Sequence, residues 1–370
     1  MSYAGESRAL DGEILRVVDA WHRHGKTLED AEFDDLALRV FAYQLRYNAA
    51  YARYCASLGV TLDALPKNWE RIPAVPAAAF KEATLATFDP AGAVLAFETS
   101  GTTTGTGGRH YFDTRELYDA ALLAAFDRAM LPDGARLRYL NLVPNPSERP
   151  ESSLGYMMHR VALARGDEQT GWYLRGADLL SGALAADAAA AQADGAAVCL
   201  AGTAFALLHA LDELERSGTS FTFAPGSRIM ETGGFKGRAR AVEREELYAR
   251  LSAALDIAPE RIVSEYGMTE LTSQYYDDVL LQPSHAAAAA RRKIAPPWLR
   301  ARVAGPDGAS LPPGTVGALV HVDLANRASC VAIATEDLGA QFDDGLVLVG
   351  RERGAQLRGC SLDAETLQPR

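Results

Sequence analysis

The sequence predicts an α/β fold, with parallel-rich sheets covered by helices and a C-terminal portion rich in strands. Three observations carry this prediction. Short apolar runs alternate with amphipathic stretches over residues 136–267, the first sixty or so residues show helical spacing alone, and beyond Pro296 the apolar runs shorten between Gly, Pro and Asp. A chain of 370 residues, 48% hydrophobic and 23% charged, has ample material for a buried core. At about 150 residues per domain, it makes one large domain or two unequal ones.

Ile14, Leu15, Val18 and Trp21 recur at three- and four-residue steps, as do Phe33, Leu36, Ala37, Val40, Phe41 and Leu45, so both stretches read as helices carrying little chemistry. After a proline-punctuated passage over 66–76 comes a segment rich in Gly and Thr. Asp113-Thr114-Arg115-Glu116 follows it, with carboxylates placed to cap a helix running to about Met130. Strands at 139–143, 197–200, 228–230 and 262–263 take turns with helices at 204–217 and 243–255, the pattern of a largely parallel sheet. The alanine-rich stretch over 183–197 suits a helix, and 316–324, 330–333 and 346–349 supply the C-terminal strands. The expected division is a helical segment over 1–95 packed on the main domain, an α/β core over 96–295, and a β-rich portion over 296–370 ending in a short tail.

Charge and composition exclude several classes. With 37 basic against 48 acidic residues, the net charge of -11 argues against a sequence-blind nucleic-acid binder. The N-terminus lacks a basic stretch followed by an apolar one, and no run of about 18 apolar residues occurs. A soluble cytoplasmic protein without stable membrane insertion is expected. Cys55, Cys199, Cys330 and Cys360 stand far apart without a C-x-x-C pair, so neither a disulfide framework nor a zinc site is suggested.

The most informative segment is Glu98-Thr99-Ser100-Gly101-Thr102-Thr103-Thr104-Gly105-Thr106-Gly107-Gly108-Arg109-His110. Small residues let backbone amides approach an anion, and hydroxyls add donors, which is how phosphate oxygens are wrapped. The lysine and hydroxyl that end a P-loop are absent, and on composition alone a Gly/Thr surface loop is the competing reading. Glu231-Thr232-Gly233-Gly234-Phe235-Lys236-Gly237-Arg238 and Glu265-Tyr266-Gly267-Met268-Thr269-Glu270 each follow an apolar run, which places them at the C-terminal ends of strands, where ligands of open α/β sheets bind. Gly233 and Gly234 let a flat ring lie against the backbone, and Glu270 suits a hard cation beside phosphate. Each alone reads more readily as an ordinary glycine turn or a solvated glutamate than as a functional element.

In this order the segments resemble the acyl-adenylate-forming superfamily. Ser100 to Gly105 is similar to its phosphate loop, and Tyr266-Gly267-Met268-Thr269-Glu270 to its aromatic-Gly-x-Thr-Glu motif. Thr335-Glu336-Asp337-Leu338-Gly339 resembles the segment whose aspartate holds the ribose, and Gly350-Arg351 with Arg358-Gly359 the approach to its mobile lid. The loop carries an extra threonine and lacks the usual Pro-Lys-Gly ending, and Glu336 stands where glycine is common. The chain stops eleven residues after Gly359, so the small C-terminal lid domain with its lysine is expected to be absent. One branch shares this length and ending: the acyl-protein synthetases, or long-chain fatty acid:protein ligases, of bacterial bioluminescence. The likeness also runs through Ile72-Pro73-Ala74-Val75-Pro76, Phe80-Lys81, Ser152 to Met157, Glu231 to Gly237 and Arg358-Gly359-Cys360-Ser361.

The resemblance implies an enzyme that uses ATP and Mg²⁺ to convert a fatty or other carboxylic acid into acyl-AMP. It then carries the acyl group as a thioester on Cys360 and delivers it to a protein such as a reductase or carrier protein. It implies Ser100, Gly101, Thr102, Thr103, Thr104 and Gly105 at pyrophosphate, and Mg²⁺ on Glu270. Asp337 falls at ribose, and Gly233, Gly234 and Tyr266 at adenine, with Gly267, Met268 and Thr269 completing that motif. The cation replacing the lid lysine comes from Arg109, Lys236, Arg351, Arg353 and Arg358, with Arg351 favoured by its matching position. His110 also matches a family position, and contact with the acyl carboxylate, shaping of the loop and a structural role all remain open for it. His159, near Met157, Met158 and Val161, lines an acyl tunnel or packs a core. Competing readings send the acyl group to coenzyme A, a carrier protein or an amine with Cys360 only structural, or make the chain a non-catalytic nucleotide-binding subunit.

Overall fold

A computed structural model describes residues 3–99, 107–233, 243–287 and 291–351. Helix α1 (Tyr3–His24) buries Leu10, Ile14, Val18 and Trp21 along one face. Helix α2 (Asp30–Tyr47) opens with a capping box between Glu29 and Glu32, and α3 (Ala49–Ser57) opens on Asn48, whose side chain accepts the Tyr51 amide at 3.0 Å. The chain continues through β1 (Val75–Pro76), β2 (Leu95–Glu98), β3 (Arg109–Phe112) and α4 (Glu116–Met130). The cap of α4 is not the expected one: the Glu116 amide donates to the Thr114 hydroxyl at 3.2 Å, because the Asp113 carboxylate is occupied by Arg327 and the Tyr3 hydroxyl.

Next come β4 (Arg138–Pro144), α5 (Ser153–Arg165), β5 (Gly171–Arg175), β6 (Asp178–Leu179), α6 (Ser181–Asp194), β7 (Val198–Thr203), α7 (Ala204–Ser217), β8 (Arg228–Thr232), α8 (Arg244–Leu255), β9 (Ile262–Tyr266) and β10 (Tyr275–Asp277). The last elements are β11 (Lys293–Ile294), β12 (Leu299–Ala304), β13 (Gly317–Asp323), β14 (Ala332–Phe342) and β15 (Gly345–Arg351). Both α6 and α7 end on a left-handed glycine, Gly195 and Gly218 at φ 65°, the backbone state that stops a helix with its last carbonyls satisfied. No helix among the described residues is long and apolar enough to cross a membrane.

The chain forms two compact units, one of residues 1–124, 268–274 and 294–370, the other of 125–267 and 275–293. In the second unit β5, β4, β7, β8 and β9 run parallel in that order, with β6 antiparallel to β5 and β10 antiparallel to β9. Helices α6, α7 and α8 bury Leu184, Leu207, Leu211 and Leu251 with Leu140, Leu200, Ile229 and Ile262 of the strands in one apolar cluster. The fully buried Arg228 is held by the Met130 carbonyl and by Asp133 at 2.8 Å.

The first unit contains the antiparallel array β12-β13-β14-β15, with β1 beside β14 in parallel register, Val75 opposite Ile333, and the β2–β3 hairpin. Its helices reach into the turn between β13 and β14 through polar side chains. Gln44 of α2 is fully buried, donates to the carbonyls of Asn326 (2.9 Å) and Arg327 (3.2 Å), and accepts the Val331 amide at 2.8 Å. Asn48 donates to the Ser329 carbonyl at 3.1 Å. Arg327, 1% exposed, grips Asp11 and Asp113 with paired hydrogen bonds of 2.7 to 2.9 Å.

Replacing this arginine with an apolar side chain strands two acids. Arg327→Met is expected to cost about 3 kcal/mol, the lower end for a broken buried pair, since Asp11 and Asp113 keep 12% and 19% of their side-chain surface. Denaturant unfolding of the two proteins measures the difference; a change below about 1 kcal/mol would show that the grip contributes little.

Candidate functional site

The Gly/Thr segment connects the two strands of a hairpin. β2 and β3 pair from Leu95 opposite Phe112 to Glu98 opposite Arg109. The Thr99 amide then donates to the Gly108 carbonyl at 2.8 Å, and the Gly108 amide to the Thr99 hydroxyl at 2.9 Å. Gly108 is required here: a Cβ would stand 2.6 Å from the carbonyl carbon and oxygen of Phe80. Ser100, Gly101, Thr102, Thr103, Thr104 and Gly105 lie outside the described residues, as do Gly234, Lys236, Arg353, Arg358 and Cys360. Arg109, one of the cations considered, is paired with Glu98 at 2.7 Å.

His110 follows on β3, fully buried, with its ring 4.2 Å from that of Phe112 and 5.6 Å from that of Phe80. Nδ1 donates to the Thr269 carbonyl at 2.9 Å, which brings two predicted site residues together. Burial pushes the imidazole down to about 4, partly offset by that hydrogen bond, so the ring is neutral at pH 7. With the proton on Nδ1, Nε2 is a lone-pair acceptor, and it has no hydrogen-bond partner among the described residues. A neutral ring in this tautomer offers no proton to a carboxylate. What it does is hold the backbone one residue before Glu270.

Met268 and Thr269, half-buried, lead into a buried passage from Glu270 onward whose backbone is gripped by side chains. The Leu271 amide donates to the Met268 carbonyl at 3.1 Å. Asn326 donates to the Glu270 carbonyl at 2.9 Å and accepts both the amide and the hydroxyl of Thr272, at 2.7 and 2.6 Å. Asp323, at the end of β13, accepts the amides of Thr272 (3.0 Å) and Ser273 (2.9 Å) and the Ser273 hydroxyl (2.9 Å). Burial pushes the Asp323 carboxyl up to about 6 against the pull of its Ser273 hydrogen bonds. Glu270 itself is 8% exposed.

Asp337 on β14 stands opposite Arg351 on β15, and Arg351 Nε donates to its Oδ1 at 2.5 Å. The cation favoured for the reacting phosphate is thus seated on the aspartate expected at the ribose. Asp337 is fixed from behind, its amide donating to the Thr335 hydroxyl (3.2 Å), which donates in turn to the Leu319 carbonyl (3.0 Å). His321 of β13, fully buried, is driven down to about 4 by burial, while the Asp337 charge opposes the shift. Nothing in the sequence singles out His321, Asp323 or Asn326, which stand as scattered polar residues in a mostly apolar stretch.

In the second unit Thr232 pairs with Glu265 in the parallel register of β8 and β9, and its hydroxyl donates to the Glu265 carboxylate. Gly233 and Tyr266 therefore follow side by side at the C-terminal ends of neighbouring strands, the placement the sequence predicts. Gly233 has φ 66°, and among the described residues nothing lies within 4 Å of where a Cβ would stand. The Tyr266 ring lies 5.7 Å from that of Tyr275, with Gly267 next in the chain. Beneath these strand ends the charges are compensated. Burial raises the Glu231 carboxyl, which accepts the Tyr248 hydroxyl at 3.0 Å. Burial likewise pushes Asp277 up, but Lys293 (2.7 Å) and Arg291 (2.5 Å) outweigh it and keep Asp277 ionised.

Among the described residues no cluster of three or more His, Cys, Asp or Glu side chains could cage a metal. A single carboxylate such as Glu270 fits the mode of Mg²⁺, which takes most of its oxygens from phosphate and water.

The family model for acyl-protein synthetase, LuxE, matches residues 170–365, more than half of the chain. Two solved structures share the fold, and a third is similar over part of it. A 2-hydroxyisobutyryl-CoA ligase in complex with 2-HIB-AMP and CoA is 15% identical, over 88% of this chain and 69% of that one, at a TM-score of 0.63. The McyG A-PCP structure complexed with phenylalanyl-adenylate is 17% identical over 72% of this chain and 42% of that one, at 0.51. The amide bond synthetase McbA from Marinactinospora thermotolerans is 18% identical over 71% and 49%, at 0.47. The chain thus spans about half the length of the last two, 42% and 49%. None of the curated proteins compared matches it significantly.

The state of His110 has a measurable consequence. Its folded value of about 4 lies below the ordinary 6.5, so the unfolded chain takes up the proton first as pH falls. The stability contributed by neutral His110 is complete above pH 6.5 and is lost as pH drops toward 4. His110→Asn is expected to flatten the fall in unfolding free energy between pH 6.5 and 4.5, read from denaturant titrations; an unchanged slope would mean that the ring is not held neutral.

Proposed function

Because the chain belongs to the acyl-protein synthetase family, LuxE, of the acyl-adenylate-forming ligases, we propose that it activates a fatty acid with ATP and then carries the acyl group as a thioester on Cys360 for delivery to a protein partner. The observation that carries this reading is that one family match takes in Gly233, Tyr266, Glu270, Asp337 and Cys360 together.

A thiol does not displace oxide from a carboxylate, so the acid is first joined to AMP. A carboxylate oxygen attacks the α-phosphorus in line, pyrophosphate leaves, and the protein's task is positioning and charge compensation. In this reading Glu270 holds Mg²⁺, which supplies charge compensation at the phosphates. Asp337 accepts the ribose hydroxyls beside Arg351, which is bonded to its Oδ1. Gly233 and Tyr266 frame adenine, and residues 100–105 surround pyrophosphate. The Cys360 thiolate then attacks the acyl carbonyl, and AMP departs with the electron pair of the broken anhydride bond.

The other cysteines favour this assignment. Cys55, Cys199 and Cys330 are buried, and burial pushes their thiols up, Cys199 to about 12, so none supplies thiolate at neutral pH. In the sequence Cys360 stands two positions from Arg358, with Arg351 and Arg353 a few residues further back, charges that would favour a thiolate where they converge on it.

With ATP and labelled fatty acid, Cys360→Ser is expected to keep acid-dependent pyrophosphate exchange within about twofold and to lose covalent label altogether. Undiminished label in that variant would remove Cys360 from the reaction. Absence of exchange in the unaltered protein, with ATP still bound, would leave a nucleotide-binding subunit in place of an enzyme.

A further inference from the structure

We propose that Asn326, with Asp323 and Thr272, forms a clamp whose function is to position Glu270 for the metal–nucleotide complex. The inference rests on the reading of Glu270 given above and extends it to residues that touch neither metal nor nucleotide.

The argument is the concentration of side-chain hydrogen bonds on one short backbone passage. The carbonyl before Glu270 is held by His110, and that of Glu270 by Asn326. The amides two and three residues later are held by Asn326 and Asp323. No strand ladder fixes residues 268–273, so these side chains set where the Glu270 Cα stands and how its carboxylate is aimed.

The clamp is rigid in its own right. Asp323, Asn326 and Thr272 are 0 to 1% exposed. Asn326 has both side-chain polar atoms engaged: Nδ2 also donates to the Cys330 carbonyl at 3.1 Å, and the backbone carbonyl accepts Gln44 of α2. The Asp323 oxygen not shared with the Thr272 amide is fixed by the Ser273 hydroxyl and the Ala325 amide (3.0 Å), and that hydroxyl also receives the Trp298 indole N–H at 2.9 Å. A carboxylate offered singly to a divalent ion depends on such outer partners for its orientation, and losing one typically weakens metal binding about tenfold to a hundredfold.

The test is a Mn²⁺ titration of the full chain with ATP present, following the paramagnetic resonance of free Mn²⁺, alongside thermal melting and binding of metal-free ATP. Glu270→Gln is expected to abolish the ATP-dependent site. Asn326→Ala should weaken it about tenfold or more, and Thr272→Val, which removes only the 2.6 Å hydroxyl bond, about threefold. Thr272→Ser, which keeps the hydroxyl, should recover most of the affinity, with metal-free ATP binding unchanged throughout. If Glu270→Gln loses Mn²⁺ while Asn326→Ala and Thr272→Val bind it like the unaltered protein and merely melt earlier, the clamp is overturned and Glu270 stands. Mn²⁺ retained by Glu270→Gln overturns both. Should Asn326→Ala fail to fold, the Thr272→Val and Thr272→Ser pair decides.

Discussion

A backbone passage removed from water must find a partner for each amide and carbonyl, or lose on the order of 1–3 kcal/mol for every group left bare. Between Thr269 and Ser273 the side chains of Asp323, Asn326 and His110 take two carbonyls and two amides, where no ladder does so. Most of what is distinctive in the first unit follows. The β13–β14 turn must be held still, and Gln44, Asn48 and Arg327 hold it. Apolar packing supplies the driving force for this unit, but the polar ties decide which single arrangement it adopts.

The same economy governs charge. Several buried ionic groups among the described residues are paired or neutralised. Arg327 faces two acids, Asp277 faces two cations, and His110 and His321 are kept uncharged by burial. Asp337 and Arg351 form the more exposed pair, with Arg351 retaining 46% of its side-chain surface, so water screens this bond and a competing ligand exchanges it at low cost.

Regular elements were legible where periodicity was strong. Helix α7 spans Ala204–Ser217 as its apolar spacing predicts, because Leu207, Leu208, Leu211 and Leu214 form one stripe and Gly218 ends it. The strand expected over 330–333 runs instead as Ala332–Phe342, since exposed Glu336 between buried Thr335 and Asp337 breaks the apolar run without breaking the alternation of a strand. Motifs at strand ends were readable from sequence because Gly233 and Tyr266 are local signals. The clamp was not, because Asn326 meets Glu270 across 56 positions and Gln44 meets Asn326 across 282. A lone amide on an apolar helix face carries no signature of its distant partner, and Asp113 read as a helix cap for the same reason: Arg327 lies 214 residues away.

That separation bears on biosynthesis. The second unit is drawn from 125–267 and 275–293, so nearly all of its sequence has left the ribosome before β13 and β14 are translated, and its sheet can close early. Helices α1 to α3, made first, must keep Gln44, Asn48 and Asp11 without their final partners until Asn326, Arg327 and Ser329 emerge. During that interval the faces of these helices that end against the β13–β14 turn have no native partner to cover them.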